Sequence, residues 1–231
     1  TYALGFDVQQ ARLSSDNRTR DTAFSRQYLN LLPNALFTYN MGRNRTLRVN
    51  YRTRINAPSV SQLQPVPDNT NPLNIRLGNP DLRPEFAHNL TLFYNNFQPG
   101  NSRSLFASVT GTLTQHKIVN ATSINRVGAQ ITQPINVNGY GNLTGFVAVG
   151  RPVQFSTFKA NLNLTTNASY NRGQSLLNGQ PNLSNAWLLS QSATFNSNFN
   201  EKFEVSVGGS LAYQVAEYSL QPAQNTEFLN P

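Results

Sequence analysis

The sequence predicts an all-β fold: an antiparallel up-and-down meander that forms part of a transmembrane β-barrel. Three observations carry that expectation. Long segments alternate apolar and polar residues with a period of two, which places alternate side chains on opposite faces of a strand. Several of them run ten residues or more, beyond the ~5–6 of an ordinary globular strand and close to the ~9–11 that a tilted strand needs to cross a bilayer. The links between segments are short and long by turns, which gathers the long ones at one end of a meander, as in outer-membrane barrels.

The clearest alternation lies in Phe203 to Glu217, where Phe203, Val205, Val207, Leu211, Tyr213 and Val215 oppose Glu204, Ser206, Ser210 and Gln214. In chain order the same pattern predicts strands at Tyr2–Gln9, Leu32–Met41, Leu47–Ile55, Ala87–Phe97, Leu105–Gln115, Leu143–Val149, Phe158–Asn171, Trp187–Phe199 and Phe203–Glu217. Short turns are expected at Gly42–Thr46, Gln98–Ser102, Arg151–Thr157 and Asn200–Lys202. Long loops are expected at Ser14–Leu29, Asn56–Glu85, Lys117–Tyr140 and Arg172–Ala186, with a further loop-like stretch before Pro231. Tyr39, Phe97, Phe155, Phe158, Phe199 and Phe203 all fall beside the short links, where a barrel wall carries an aromatic girdle.

Composition agrees. Only 12% of the 231 residues are charged, against ~25% in an average soluble domain, while Asn, Gln, Ser and Thr are abundant. Fourteen Phe and nine Tyr accompany a single Met, so the bias is towards strands and almost no helix is expected. With no Cys, disulfides and thiolate metal sites are excluded in any compartment. The net charge of +8 is scattered without a basic run, which argues against nucleic acid as a partner. No apolar run is long enough for a membrane helix, so any span must use strands, and an export signal is expected to have been removed. A mean hydropathy of −0.43 does not oppose a barrel, because half of each strand faces water.

Asn56–Glu85 interrupts the rhythm with six prolines and the decapeptide RLGNPDLRPE. Neither strand nor helix can run through it, so a long, locally rigid loop is expected, with Gly78 permissive in its backbone and Pro84 setting the entry to the next strand. Gly78, Asn79, Pro80, Asp81, Leu82, Pro84 and Glu85 are the signature residues of this loop.

Here the residues resemble a family. YRTRINAPSVSQLQPV, followed by NPLNIRLGNPDLRPEFAHNLTLFYNNF, resembles a segment of TonB-dependent outer-membrane receptors of Bacteroidetes, and NLLPNALFTYNMGRNRTLRVNY resembles the hairpin before it. The likeness covers about Asn30 to Phe97, with Asn56 and Ala57 departing from a pattern in which Arg often precedes the Pro-Ser pair. It implies a barrel of about 22 strands closed around an N-terminal plug, importing a nutrient with energy passed from the inner membrane by the TonB complex. Residues 1–231 would then be a single partial-barrel region of nine or ten strands without plug or energy-coupling box, an internal or truncated piece of a larger receptor. Its partners would be outer-membrane lipid, the plug and remaining strands, and a small-molecule or glycan ligand.

Chemistry is sparse. His88 and His116 have no carboxylate or Cys at metal-ligand spacing, the carboxylates form no close pair in sequence, and no nucleophile or nucleotide motif is present. No catalytic residue, metal or cofactor is therefore expected. The sharper candidates are Arg48, Arg52 and Arg54, which alternate with Leu47, Val49, Tyr51 and Thr53 and would face the lumen, towards plug carboxylates or an anionic ligand. Two other readings fit the same strands: a soluble sandwich or small barrel that presents Asn-rich loops to glycans, and a self-contained pore of eight to ten strands.

Overall fold

A computed structural model describes residues 1–17, 22–68, 70–126, 128–154, 159–198 and 203–230. Its strands are β1 (Tyr2–Asn17), β2 (Thr22–Asn40), β3 (Arg45–Asn56), β4 (Asn74–Arg76), β5 (Glu85–Gln98), β6 (Arg103–Gln115), β7 (Lys117–Ile124), β8 (Gln130–Val137), β9 (Tyr140–Gln154), β10 (Lys159–Leu177), β11 (Gln180–Asn198), β12 (Glu204–Tyr218) and β13 (Gln221–Asn230). One four-residue helix, α1 (Val60–Leu63), lies in the proline-rich loop. Ten strands form a continuous antiparallel meander, β1-β2-β3-β5-β6-β9-β10-β11-β12-β13, and β4, β7 and β8 branch from it.

The register gives the sheet two chemically distinct faces. Across β3, β5, β6 and β9, Val49 stands opposite Leu92, Leu92 opposite Val109, and Val109 opposite Gly145. The same face continues through Ala168, Leu189 and Tyr213 on β10, β11 and β12. It is not covered: Leu4 is 82% exposed, Val207 62% and Leu189 52%. The other face is a lattice of amides and hydroxyls, in which Thr91 and Thr110 share a hydrogen bond of 3.2 Å, Thr112 donates to Asn89 at 2.8 Å and Ser206 donates to Asn196 at 2.6 Å.

Among the described residues the buried apolar side chains are Leu63, Leu82, Ala87, Ala129, Val137, Ala160 and Ala216, with Pro58 and Pro134, too little for a hydrophobic core between two layers. The sandwich alternative therefore fails: among the described residues no second sheet faces the apolar side of this one. Val205 and Tyr213 on β12 lie eight residues apart on that side, or ~26 Å of strand and ~20 Å of height at a ~40° tilt, and Phe203 just before the strand extends the band towards the ~25 Å of a barrel's apolar belt. Two polar pairs on this face are hydrogen-bonded, Tyr51 with His88 at 2.8 Å and Thr166 donating to Gln191, as a medium without water favours.

Four expectations need correction. Ser14–Leu29 and Arg172–Ala186 are mostly strand, because β1 pairs with β2 out to Asn17↔Thr22 and β10 with β11 out to Leu177↔Gln180. Asn178 (φ 52°) and Gly179 (φ 77°) turn the second hairpin, the positive-φ pair that an Asn-Gly hairpin turn needs. Lys117–Tyr140 forms the β7–β8 hairpin, with β7 in parallel pairing to the tip of β10. The stretch before Pro231 is β13. Among the described residues the sheet has thirteen strands, ten of them in the meander where nine or ten wall strands are expected and three in a branch, and its elaborated end is made of tall hairpins and that side branch in addition to loops.

Of the aromatic residues beside short links, Tyr39 and Phe203 flank the apolar face, whereas Phe97, opposite Ser104, has the register of the polar face. Phe155, Phe158, Phe199 and the Asn200–Lys202 turn lie outside the described residues, as do positions 155–157 of the Arg151–Thr157 link, whose first four residues are strand β9 and not turn. At the opposite rim, Tyr170 stacks at 4.1 Å on Trp187, a second aromatic level that the sequence rhythm did not single out.

Candidate functional site

The elaborated end is built around the loop signature. Gly78 is buried because the chain passes so close to Gln64 that a Cβ at position 78 would lie 1.9 Å from the Gln64 carbonyl oxygen. Close approach, not an unusual φ, is what selects glycine here. Asn79 then serves both strands of the loop: its backbone N–H donates to Gln62 O at 2.6 Å and its side-chain amide to Pro134 O at 3.0 Å on β8. Its Oδ1 accepts from Asp81 N at 2.9 Å, an Asx turn over Pro80. Leu82 is 1% exposed, as is Leu63 at the end of α1. The helix is held by a reciprocal capping box between Ser59 and Gln62.

The arm continues into β5 through Glu85. Its carboxylate accepts from Ile118 N at 2.9 Å, from Lys117 Nζ at 3.0 Å and from Asn56 Nδ2 at 3.3 Å, which ties the starts of β5 and β7 to the end of β3. Asn136 on β8 donates to Arg83 O and His116 O and accepts from Arg83 N, so the β7–β8 hairpin is bolted to the signature loop from its other side. Asp81 is exposed and sits 3.7 Å from Arg26 of the tall β1–β2 hairpin. Pro80 is exposed at the turn and Pro84 is half-buried before β5. The signature residues thus form a joint that fixes a side branch to the wall.

That joint floors an open cleft of about 730 Å³ between the proline-rich loop and the β7–β8 hairpin. Gln62 and Gly78 contribute from one side, Asn120 and Thr122 from β7, and Gln130 and Thr132 from β8. Asp68 and Arg76, joined by an antiparallel bridge, supply one charge of each sign. Sequence reasoning missed these β7 and β8 residues because Lys117–Tyr140 reads as a loop. The spacing of Ile131, Ile135 and Val137 was the available signal, and it is blurred by Gln133 and by Pro134.

Arg48, Arg52 and Arg54 are exposed on the amide-rich face, as their alternation predicts. Arg48 stands opposite Thr38 and Phe93, Arg52 opposite Asn34 and Asn89, and Arg54 opposite Ala87. Among the described residues none of the three has a carboxylate within ion-pair distance. They are not brought together with the loop cleft, which lies beyond the end of β3. His88 lies on the apolar face between Tyr51 and Phe86, and His116 sits in the β6–β7 turn with φ 52°. Neither belongs to a cluster that could hold a metal ion among the described residues.

The outer membrane protein beta-barrel family matches residues 1–228 of the chain. No curated protein matches it. A single sheet with an uncovered apolar face, an amide-lined reverse face and elaboration at one end is the architecture that such a match requires. The chain belongs to the outer membrane protein β-barrel family and forms barrel wall in the bacterial outer membrane.

Proposed function

We propose that this wall belongs to a TonB-dependent receptor of the Bacteroidetes type that imports a nutrient such as an iron chelate, a cofactor or an oligosaccharide, without catalysing a reaction. In this reading further strands complete the barrel and a plug occupies its lumen. The elaborated end faces the outside, where it meets the ligand.

The observation that carries the reading is the inner face. Its arginines, Arg48, Arg52 and Arg54, are exposed and lack carboxylate partners among the described residues, and a row of like charges on one face attracts anionic partners. Plug carboxylates or an anionic ligand would supply them.

The test is energised uptake by cells producing the intact receptor, with and without collapse of the inner-membrane proton gradient. Uptake that depends on the gradient, and that falls on Arg52→Glu together with retention of the plug, is the expected result. Gradient-independent diffusion through the purified protein would favour a simple pore and overturn the proposal.

A further inference from the structure

The cleft at the elaborated end has a chemistry of its own. Amides and hydroxyls dominate its lining, and Asp68 and Arg76 cancel in charge. Among the described residues, the side chains of Asn74, Asn120 and Thr122 hold no hydrogen bond, so their donors and acceptors remain open to the cleft. Thr132 accepts from Gln130 at 3.2 Å and keeps its own hydroxyl proton to donate. Val66, Leu77 and Pro134 add small apolar surfaces between these groups.

Three ligand classes fit this lining poorly. A highly charged chelate would find one positive and one negative group, with no excess of either sign. A flat aromatic cofactor would find no ring to stack on, since no aromatic residue lines the cleft. A peptide adding as a strand would find no free edge, because β8 is paired with β7 on one side and β4 on the other, and β4 is bridged to Asp68.

A neutral ligand dense in hydroxyls meets the lining group for group. Each hydroxyl both donates and accepts, as does each amide and hydroxyl facing it, and C–H faces rest on the small apolar surfaces. The volume, about 730 Å³, suits a chain of roughly two to four sugar rings. We propose that this cleft is a binding site for a neutral oligosaccharide. The inference rests on reading the elaborated end as the one that meets the ligand.

Calorimetry and saturation-transfer NMR on the intact protein in detergent test it, with maltotriose, cellotriose, xylotriose and triacetylchitotriose as probes, and triglycine and ferric citrate as comparators. At least one trisaccharide should bind. The double variant Asn74→Ala, Asn120→Ala, whose side chains hold no hydrogen bond among the described residues, should weaken it by about tenfold or more. Thr122→Trp, which fills the cleft, should do the same.

Absence of binding by all four trisaccharides, binding unaffected by both variants, or equal binding of triglycine would overturn the assignment. Uptake is scored separately in cells. Trisaccharide binding without energised uptake removes the transporter reading and leaves the cleft, whereas energised uptake of another nutrient with no sugar bound removes the cleft and leaves the transporter.

Discussion

The wall and the side branch at its elaborated end treat apolar residues in opposite ways. In the wall, Leu4, Val207 and Leu189 stay more than half exposed, and no second layer covers them. In the branch, Leu63 and Leu82 are 1% exposed within a short loop held by Gly78, Asn79 and the capping box. The wall is completed by lipid and the branch by its own side chains. One chain therefore folds in two solvents, and the stability of each region answers to different substitutions.

The largest expected effect is in the branch. Leu82→Ala should cost ~2–5 kcal/mol of local stability by leaving a cavity at a fully buried position. Hydrogen exchange would show it as faster exchange in α1 and β8, with the wall strands unchanged. Loss of protection throughout β9–β12 would mean that the branch and wall are one cooperative unit.

The wall offers the sharper contrast. Val147→Arg places a charge on the apolar face of β9 and should cost ~2–4 kcal/mol in lipid, whereas Thr144→Arg on the reverse face should cost under ~1. Reversible urea unfolding in lipid vesicles would compare them. Equal costs for the two variants would contradict a one-sided lipid contact.

The joint between the regions should fall below these. Glu85→Ala removes the acceptor for Ile118 N, Lys117 Nζ and Asn56 Nδ2, and should cost ~1–3 kcal/mol. Exchange at the Ile118 amide reads it out. Smallest of all, Asp81→Ala breaks an exposed pair with Arg26, worth ~0–1 kcal/mol, and should leave unfolding unchanged within error.

The same comparison explains what the sequence revealed. Wall strands were legible because lipid and lumen impose alternation, most strictly in Phe203–Glu217, and their register was then fixed by neighbours. The tips of β1, β2, β10 and β11 were not, because they stand beyond the apolar band and carry Asn, Gln and Ser, whose weak β propensity hides strands that pairing stabilises. Asn178-Gly179 was a hairpin signal that the expected loop overrode.

In the branch, GNPDLRPE was recognisable as a rigid element, but its contacts were not. Apart from the local turn, the Asn79–Gln62 bond and the Asn56 bond, the partners of Asn79, Arg83 and Glu85 lie more than thirty residues away, on or beside β7 and β8. Nothing in the loop's own sequence names them. The arginines of β3 were legible as a row, since a period of two suffices to place Arg48, Arg52 and Arg54 on one face.

The absence of Cys permits a direct measurement of the central claim. Single cysteines from Leu143 to Val149, spin-labelled in the intact protein in lipid, can be compared for collisions with oxygen, which partitions into hydrocarbon, and with a water-soluble nickel chelate. Positions 143, 145, 147 and 149 should favour oxygen, with 144, 146 and 148 favouring nickel. Odd positions shielded from both reagents, or seven positions without alternation, would contradict a wall with one face in lipid and the other in water.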